Sequence, residues 1–281
     1  MLSIIVPARN EPYLNQTIKG LLENAEGEIE ILVSLDGYWS NPIISDDRVI
    51  YIHKGKAQGM RAGINSCVAM SKGEYLMKLD AHCLVDKGFD VKLIKDYEDK
   101  TVVVPRRYAL DVKNWKIEER KDDKYPIDYM YLDSTLHGVV WKEKNHDLKL
   151  KEKMLDETMS NQGSIWFMKK TYFYELELMD EVGYGTFWNE FQEVGLKCWL
   201  SGGKVIVNKN TWYAHWHKDE ESGRGYSMPS AEQVKGAEQT KKWLTYKLAW
   251  EKQTLPLEWL IAHFWPVPGW QECPDVKEEG K

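Results

Sequence analysis

Gly73-Glu74-Tyr75-Leu76-Met77-Lys78-Leu79-Asp80-Ala81-His82-Cys83 decides how this chain is read. Gly73 opens a short run, residues 75–79, that reads as a strand, and the run ends in two metal-capable side chains one residue apart. Successive strand residues point to opposite faces, so Asp80 and His82 are expected to present a carboxylate and an imidazole on the same side. That pair, with no thiolate required, suits Mn²⁺ better than a structural zinc site, which closes four ligands around its ion. Ligands of α/β sheets bind at the carboxyl ends of strands, so the stretch predicts a catalytic metal at a strand end. Taken alone, Asp-x-His also fits polar residues that merely begin a loop.

Working outward, apolar runs at 2–6, 29–33, 49–52 and 101–104 read as further strands. Helical spacing appears at Leu14, Ile18, Leu21 and Leu22, over 60–70 and over 91–97. Alternating strands and helices predict an α/β fold with a mostly parallel sheet, and residues 1–105 form its nucleotide-binding half. Pro7-Ala8-Arg9-Asn10-Glu11 follows the first strand and Ser34-Leu35-Asp36-Gly37 the second. Pro7, Arg9 and Glu11 are candidate donor-site residues. Asp36 either accepts a hydrogen bond from a base or ribose or shapes a turn with Gly37. Gly59-Met60-Arg61-Ala62-Gly63 opens a helix whose free N–H groups, with Arg61, suit an anionic or nucleotide ligand.

Residues 106–155 lose this regularity. Ten Lys and Arg stand against nine Asp and Glu between Lys113 and Lys153, interspersed with Trp115, Tyr125, Tyr129, Tyr131, His137 and Trp141. The segment reads as a solvated excursion anchored by a few aromatics, or as an acceptor-binding flap. Pattern returns with a strand at 164–168, a helix at 170–178, and a helix at 189–200 closed by Gly202-Gly203. Glu190 and Glu193 share a face near the start of that helix, where the helix dipole favours acids in any case. A strand at 204–207 leads to Trp212-Tyr213-Ala214-His215-Trp216-His217-Lys218. The proposed metal needs a third ligand; His215 is the choice and His217 the reserve. Gly223 and Gly225 flank Arg224 in a loop suited to a lid over a charged ligand. A helix at 231–250 and a Trp- and Pro-rich stretch complete an acceptor half, 156–270, of one domain spanning 1–270; a flexible tail is expected at 271–281.

Bulk composition narrows the class. With 43% hydrophobic and 29% charged residues the chain is globular, and no apolar run approaches the length of a bilayer span. The opening segment is too short for a signal peptide and lacks its basic flank. Cys67, Cys83, Cys198 and Cys273 show no paired spacing, which fits reduced thiols and a cytoplasmic protein. Of these Cys83, beside His82, is the one to watch. A net charge of -6 argues against a strongly basic nucleic-acid binder.

Together these segments resemble the GT-A glycosyltransferases, above all the catalytic domain of the polypeptide N-acetylgalactosaminyltransferases. The likeness rests on Ile4-Ile5-Val6-Pro7 with Asn10-Glu11, Met60-Arg61-Ala62-Gly63, Leu79-Asp80-Ala81-His82-Cys83, Thr158-Met159, Gly163 and Tyr172-Phe173-Tyr174-Glu175-Leu176. It extends to Glu190, Glu193, Trp199, Gly202-Gly203 and His215. The resemblance implies a Rossmann-like GT-A sheet, Asp80, His82 and His215 as metal ligands, and Asp36 and Arg61 on the uridine. It puts Glu190 at the donor sugar or acceptor. The family's Gly-Gly-Glu-Asn signature reads Trp188-Asn189-Glu190-Phe191 here, so donor selectivity does not carry over, and Lys218 stands where the family has an arginine.

The expectation is therefore a metal-dependent transferase moving a sugar from a UDP-sugar to an acceptor hydroxyl on a polymer or glycan. Mn²⁺ or another divalent cation would bridge the diphosphate, with Lys218 and Arg224 adding charge and Glu190 or Glu193 as base if the reaction inverts. A hydroxymethylated pyrimidine in DNA is an alternative acceptor. A non-catalytic sugar-nucleotide-binding module and a nucleotidyltransferase are the competing classes.

Overall fold

The structure, a computed structural model, describes residues 1–119, 124–218, 226 and 230–275. The first half runs β1 (Leu2–Ala8), α1 (Leu14–Asn24), β2 (Ile29–Asp36), β3 (Val49–Lys54), α2 (Met60–Met70), β4 (Tyr75–Leu79), β5 (Cys83–Val85) and α3 (Phe89–Lys95). Then come β6 (Thr101–Asp111), β7 (Lys116–Ile117), β8 (Met130–Leu132), β9 (Gly138–Val140), α4 (Lys142–His146), α5 (Leu148–Lys151), β10 (Leu155–Glu157) and β11 (Ile165–Lys169). The chain continues through α6 (Lys170–Glu175), α7 (Glu181–Tyr184), α8 (Glu190–Leu200), β12 (Lys204–His215), α9 (Ser230–Thr245) and α10 (Leu257–His263).

The main sheet has the order β10-β12-β6-β11-β4-β1-β2-β3, with β5 added to β12 and β7 to β6. Strands β4, β1, β2 and β3 are parallel, as are β6 and β12; β11 runs antiparallel between the two sets. Both faces are covered, which is why the central strands read as apolar runs. Leu2, Ile4, Val6 and Ala8 join a core with Leu14, Ile18 and Leu21 of α1 and Phe89 and Leu93 of α3. Ile5 turns the other way, toward Ile64, Cys67 and Val68 of α2. Each such aliphatic side chain contributes about 1.5–3 kcal/mol on burial.

Two strands run further than their apolar cores suggest. β6 continues past Val104 through Pro105 to Asp111, and β12 past Val207 to His215. The pairing steps from Asn208 opposite Pro105 to Trp212 opposite Arg106, so residues 209–211 are extra on β12. Proline offers no N–H to a ladder and is tolerated at such an irregularity. Asn208 and Asn210 secure it by donating to Asp96 Oδ2 at 3.1 and 2.8 Å.

Residues 106–155 differ from a solvated excursion. Tyr129, Leu132, Leu136 and Trp141 are at most 4% exposed and belong to the core that holds α2 and α8. Asn145 seals the backbone there, accepting from the Asp128 and Tyr129 N–H groups and donating to the Tyr129 and Trp141 carbonyls. The charged side chains of α4 and α5 lie mostly on the outer side. Among the described residues no helix is long and apolar enough to cross a membrane.

Candidate functional site

Asp80 follows β4 directly, His82 follows two residues later, and His215 closes β12, where it pairs with Cys83 of β5 and Ala109 of β6. The sheet thus brings residues 133 positions apart to one point. His215 Nε2 lies 3.3 Å from Asp80 Oδ2 and 3.1 Å from His82 Nε2. One ligand atom from each residue falls within 4.8 Å of the others. His82 Nδ1 is 3.0 Å from Glu11 Oε2, so that nitrogen carries the proton and the Nε2 lone pair points into the cluster. Lys218 pairs with the other Glu11 oxygen.

The electrostatics favour the same state. Burial alone would raise the Asp80 carboxyl, but the Lys78 ammonium and the two imidazoles hold it well below the usual carboxylate range. Burial pushes His215 down to about 3, so this imidazole is neutral at physiological pH. Glu11 is likewise held below its ordinary value, burial being outweighed by His82 and Lys218. An ionised carboxylate with two imidazoles is a donor set that fits a divalent cation. Arg107 Nη2 donates to His215 Nδ1 at 3.2 Å. Coordination through Nε2 would place the ring proton on Nδ1, so a cation and this arginine contact exclude each other.

The remaining sequence candidates divide. Pro7 lies within β1 opposite Ser34. Arg9, with a side chain about one-third exposed, is 3.9 Å from Asp36 Oδ2 and packs 4.4 Å from the Tyr226 ring centroid. Asp36 is buried, and its carboxylate accepts from the N–H of Gln58 at 2.6 Å and of Gly59 at 3.1 Å, so the residue shapes the entry to α2. Gly59 sits at φ +98°, and a Cβ there would meet Thr186 at 2.5 Å; only glycine fits. His217 is exposed, its ring centroid 6.3 Å from that of His215. Arg224 and residues 276–281 of the expected tail lie outside the described residues.

Three expectations are corrected. Arg61 does not face a nucleotide: it is fully buried, paired with Glu193, hydrogen-bonded to the Trp188 carbonyl at 2.8 Å and stacked 4.7 Å from the Tyr184 ring centroid. Glu193 is not placed to act as a base, being fully buried between Arg61 and Lys197 and accepting from the Asp180 N–H. Glu190, 5% exposed, has both oxygens engaged, one by Trp166 Nε1 at 2.8 Å and one by Lys78 at 3.1 Å. Burial raises its carboxyl. Cys83 is buried, its thiol pushed well above the ordinary value by burial, and so inert. Sequence reading missed Glu11 as the orienter of His82, and also Lys78 and Arg107. A lysine inside an apolar strand was a signal for Lys78; Arg107 gave none, since its strand was expected to end before it.

A mixed sheet with a nucleotide-type half and a ligand cluster where β4 and β12 end is the architecture of the GT-A glycosyltransferases. Residues 3–176 match the glycosyl transferase family 2 domain, and the chain belongs to that family. Over 121 residues, 40% of each chain, it is 26% identical to glycosyltransferase GlyG of Streptococcus pneumoniae serotype 4. It superposes on the crystal structure of GalNAc-T7 with UDP, GalNAc and Mn²⁺ with a TM-score of 0.72 and 19% identity, over 88% of this chain and 50% of that one. It also matches Staphylococcus aureus TarS (residues 1–349) with a TM-score of 0.46 and 12% identity, over 76% of this chain and 60% of that one. The chain thus spans 40% of the length of its curated relative and half of GalNAc-T7.

Proposed function

We propose that the protein transfers a sugar from a UDP-sugar to an acceptor hydroxyl on a polymer or glycan, with a divalent cation bound by Asp80, His82 and His215. The observation that carries this is the convergence of those three side chains at the ends of β4 and β12. Mn²⁺ bound there would supply Lewis-acid stabilisation of the charge on the departing UDP. The chain's own residues do the rest. Glu11 fixes the His82 tautomer, Lys218 brings a cation to the rim of the cluster, and Asp36 and Gly59 shape the α2 entry that borders the nucleotide side. Arg9, beside Asp36 and partly exposed, is the arginine of this reading on the nucleotide, in place of Arg61. That GalNAc-T7 binds UDP and Mn²⁺ supports the donor class. Four free thiols agree with a cytoplasmic setting.

A hydroxymethylated pyrimidine in DNA is less well supported as acceptor, because a base taken out of a duplex needs stacking surfaces and Tyr129 and Trp141, two aromatics of the 106–155 segment, are inside the core. Hydrolysis of UDP-sugars should require Mn²⁺ and be lost in Asp80→Ala; equal turnover with and without the metal overturns the proposal. Melting shifts with UDP plus Mn²⁺ but not with UTP would separate it from nucleotidyl transfer, and a shift without any turnover would indicate a binding module.

A further inference from the structure

Lys78 is a lysine in the middle of the sheet, 1% exposed, in a strand that is otherwise Tyr75, Leu76, Met77 and Leu79. An ammonium has three N–H donors, and all three are committed here. One goes to Asp80 Oδ1 at 2.7 Å, one to Glu190 Oε2 at 3.1 Å and one to the Gly163 carbonyl. Burial by itself would lower the lysine, but Asp80 and Glu190 hold it above its ordinary value, so it remains charged. Stability alone does not account for such an arrangement, since apolar side chains of equal volume commonly replace a buried ion pair at no loss. What a methionine could not do is hold two carboxylates in fixed orientations.

Those orientations matter because Asp80 has one oxygen on each side of its role. Oδ1 receives Lys78, and Oδ2 is the atom 3.3 Å from His215 Nε2. The Asp80 N–H donates to the Ser164 carbonyl at 2.9 Å, one residue beyond the carbonyl that Lys78 holds, so β4 and the start of β11 are laced on both sides of the ligand. Glu190 is fixed in turn from β11 by Trp166 Nε1 at 2.8 Å. A chain of donors and acceptors therefore runs Trp166, Glu190, Lys78, Asp80, through β11, α8 and β4.

We propose that Lys78 is a positioning residue of the cation site: it locks Asp80 with Oδ2 toward the two imidazoles and makes that orientation depend on Glu190, which acts on the ligand and not on the substrate. This rests on the cation reading above, and the test separates the two. Lys78→Met alone strands Glu190 as a buried unpaired charge and is expected to unfold easily. The decisive variant is Lys78→Met with Glu190→Gln, which removes one positive and one negative charge and leaves the net charge beside the cation unchanged. Binding of Mn²⁺ in the presence of UDP, followed by electron paramagnetic resonance on the full-length chain, is the readout. The double variant should melt close to the parent yet bind Mn²⁺ about tenfold or more weakly, the size of effect seen when a ligand's supporting partner is lost. Trp166→Phe, which removes only the indole donor to Glu190, should weaken Mn²⁺ binding severalfold and stands in if the double variant does not fold. Parental Mn²⁺ affinity in either folded variant overturns the proposal; a parent that binds no Mn²⁺ overturns the cation reading instead.

Discussion

Compare two clusters of titratable side chains among the described residues, which teach opposite lessons. In one, Arg61, Glu193 and Lys197 join α2 to α8 with side chains at most 6% exposed, and Glu193 accepts from Arg61, Lys197 and the Asp180 N–H. In the other, Asp80, His82 and His215 meet at strand ends and bring one oxygen and two imidazole nitrogens within 4.8 Å of one another. The first cluster is closed upon itself and joins elements. The second is held from behind by Lys78 and Glu11 and presents its remaining valence forward. Charged residues near an element's end are alike in sequence; what separates structure from chemistry is whether their partners exhaust them.

That contrast can be broken at either end. The largest effect is expected from Arg61→Met, which leaves Glu193 charged and half-partnered in the interior and should destabilise by about 3–5 kcal/mol, read as a large drop in melting temperature. Little or no loss of stability would mean the pair is not the joint described. Asp80→Ala leaves Lys78 with Glu190 and the Gly163 carbonyl and should cost less stability than that, its main effect being a drop in Mn²⁺-dependent turnover of about 10²–10³-fold, the equivalent of several kcal/mol of lost Lewis-acid stabilisation. Glu11→Gln, which keeps the shape but weakens the grip on His82 Nδ1, should reduce Mn²⁺ affinity by about 10–100-fold without a comparable loss of stability.

The smallest effect concerns pH. With its folded value near 3 against an ordinary 6.5, His215 stays neutral as the pH falls while the unfolded imidazole takes up a proton. The unfolded state then binds more protons, so the metal-free protein should lose about 1 kcal/mol between pH 6.5 and 5.5 through this group. His215→Gln should flatten that slope in urea unfolding, and an unaltered slope would show that His215 is not neutral in the fold.

Much of this was legible in the chain. The parallel half was written in apolar runs bounded by helical spacing, and α2 and β4 fall where the pattern put them, because both are set by local periodicity. His215 was reached only through the need for a third ligand, which is chemistry and not pattern. The fate of Arg61 was not legible: an arginine at a helix start reads as an anion binder, and its burial follows from Glu193, 132 residues away. Asp36 shows the same limit, since nothing in the Asp-Gly pair shows that its carboxylate accepts from the N–H groups of Gln58 and Gly59. Strands β6 and β12 outran expectation since Pro105 and the Asn208-Lys209-Asn210 stretch look like stops, and each is tolerated because it faces the other's irregularity.

The unmatched residues 209–211 on β12 make chain length itself a determinant of the site. Shortening that stretch by one residue would spare every candidate ligand, yet the next side chain along, an indole, would arrive opposite Ala109 where an imidazole now stands. Single-residue deletions at this point should therefore silence the protein more thoroughly than most substitutions on its surface, with the fold's core still in place.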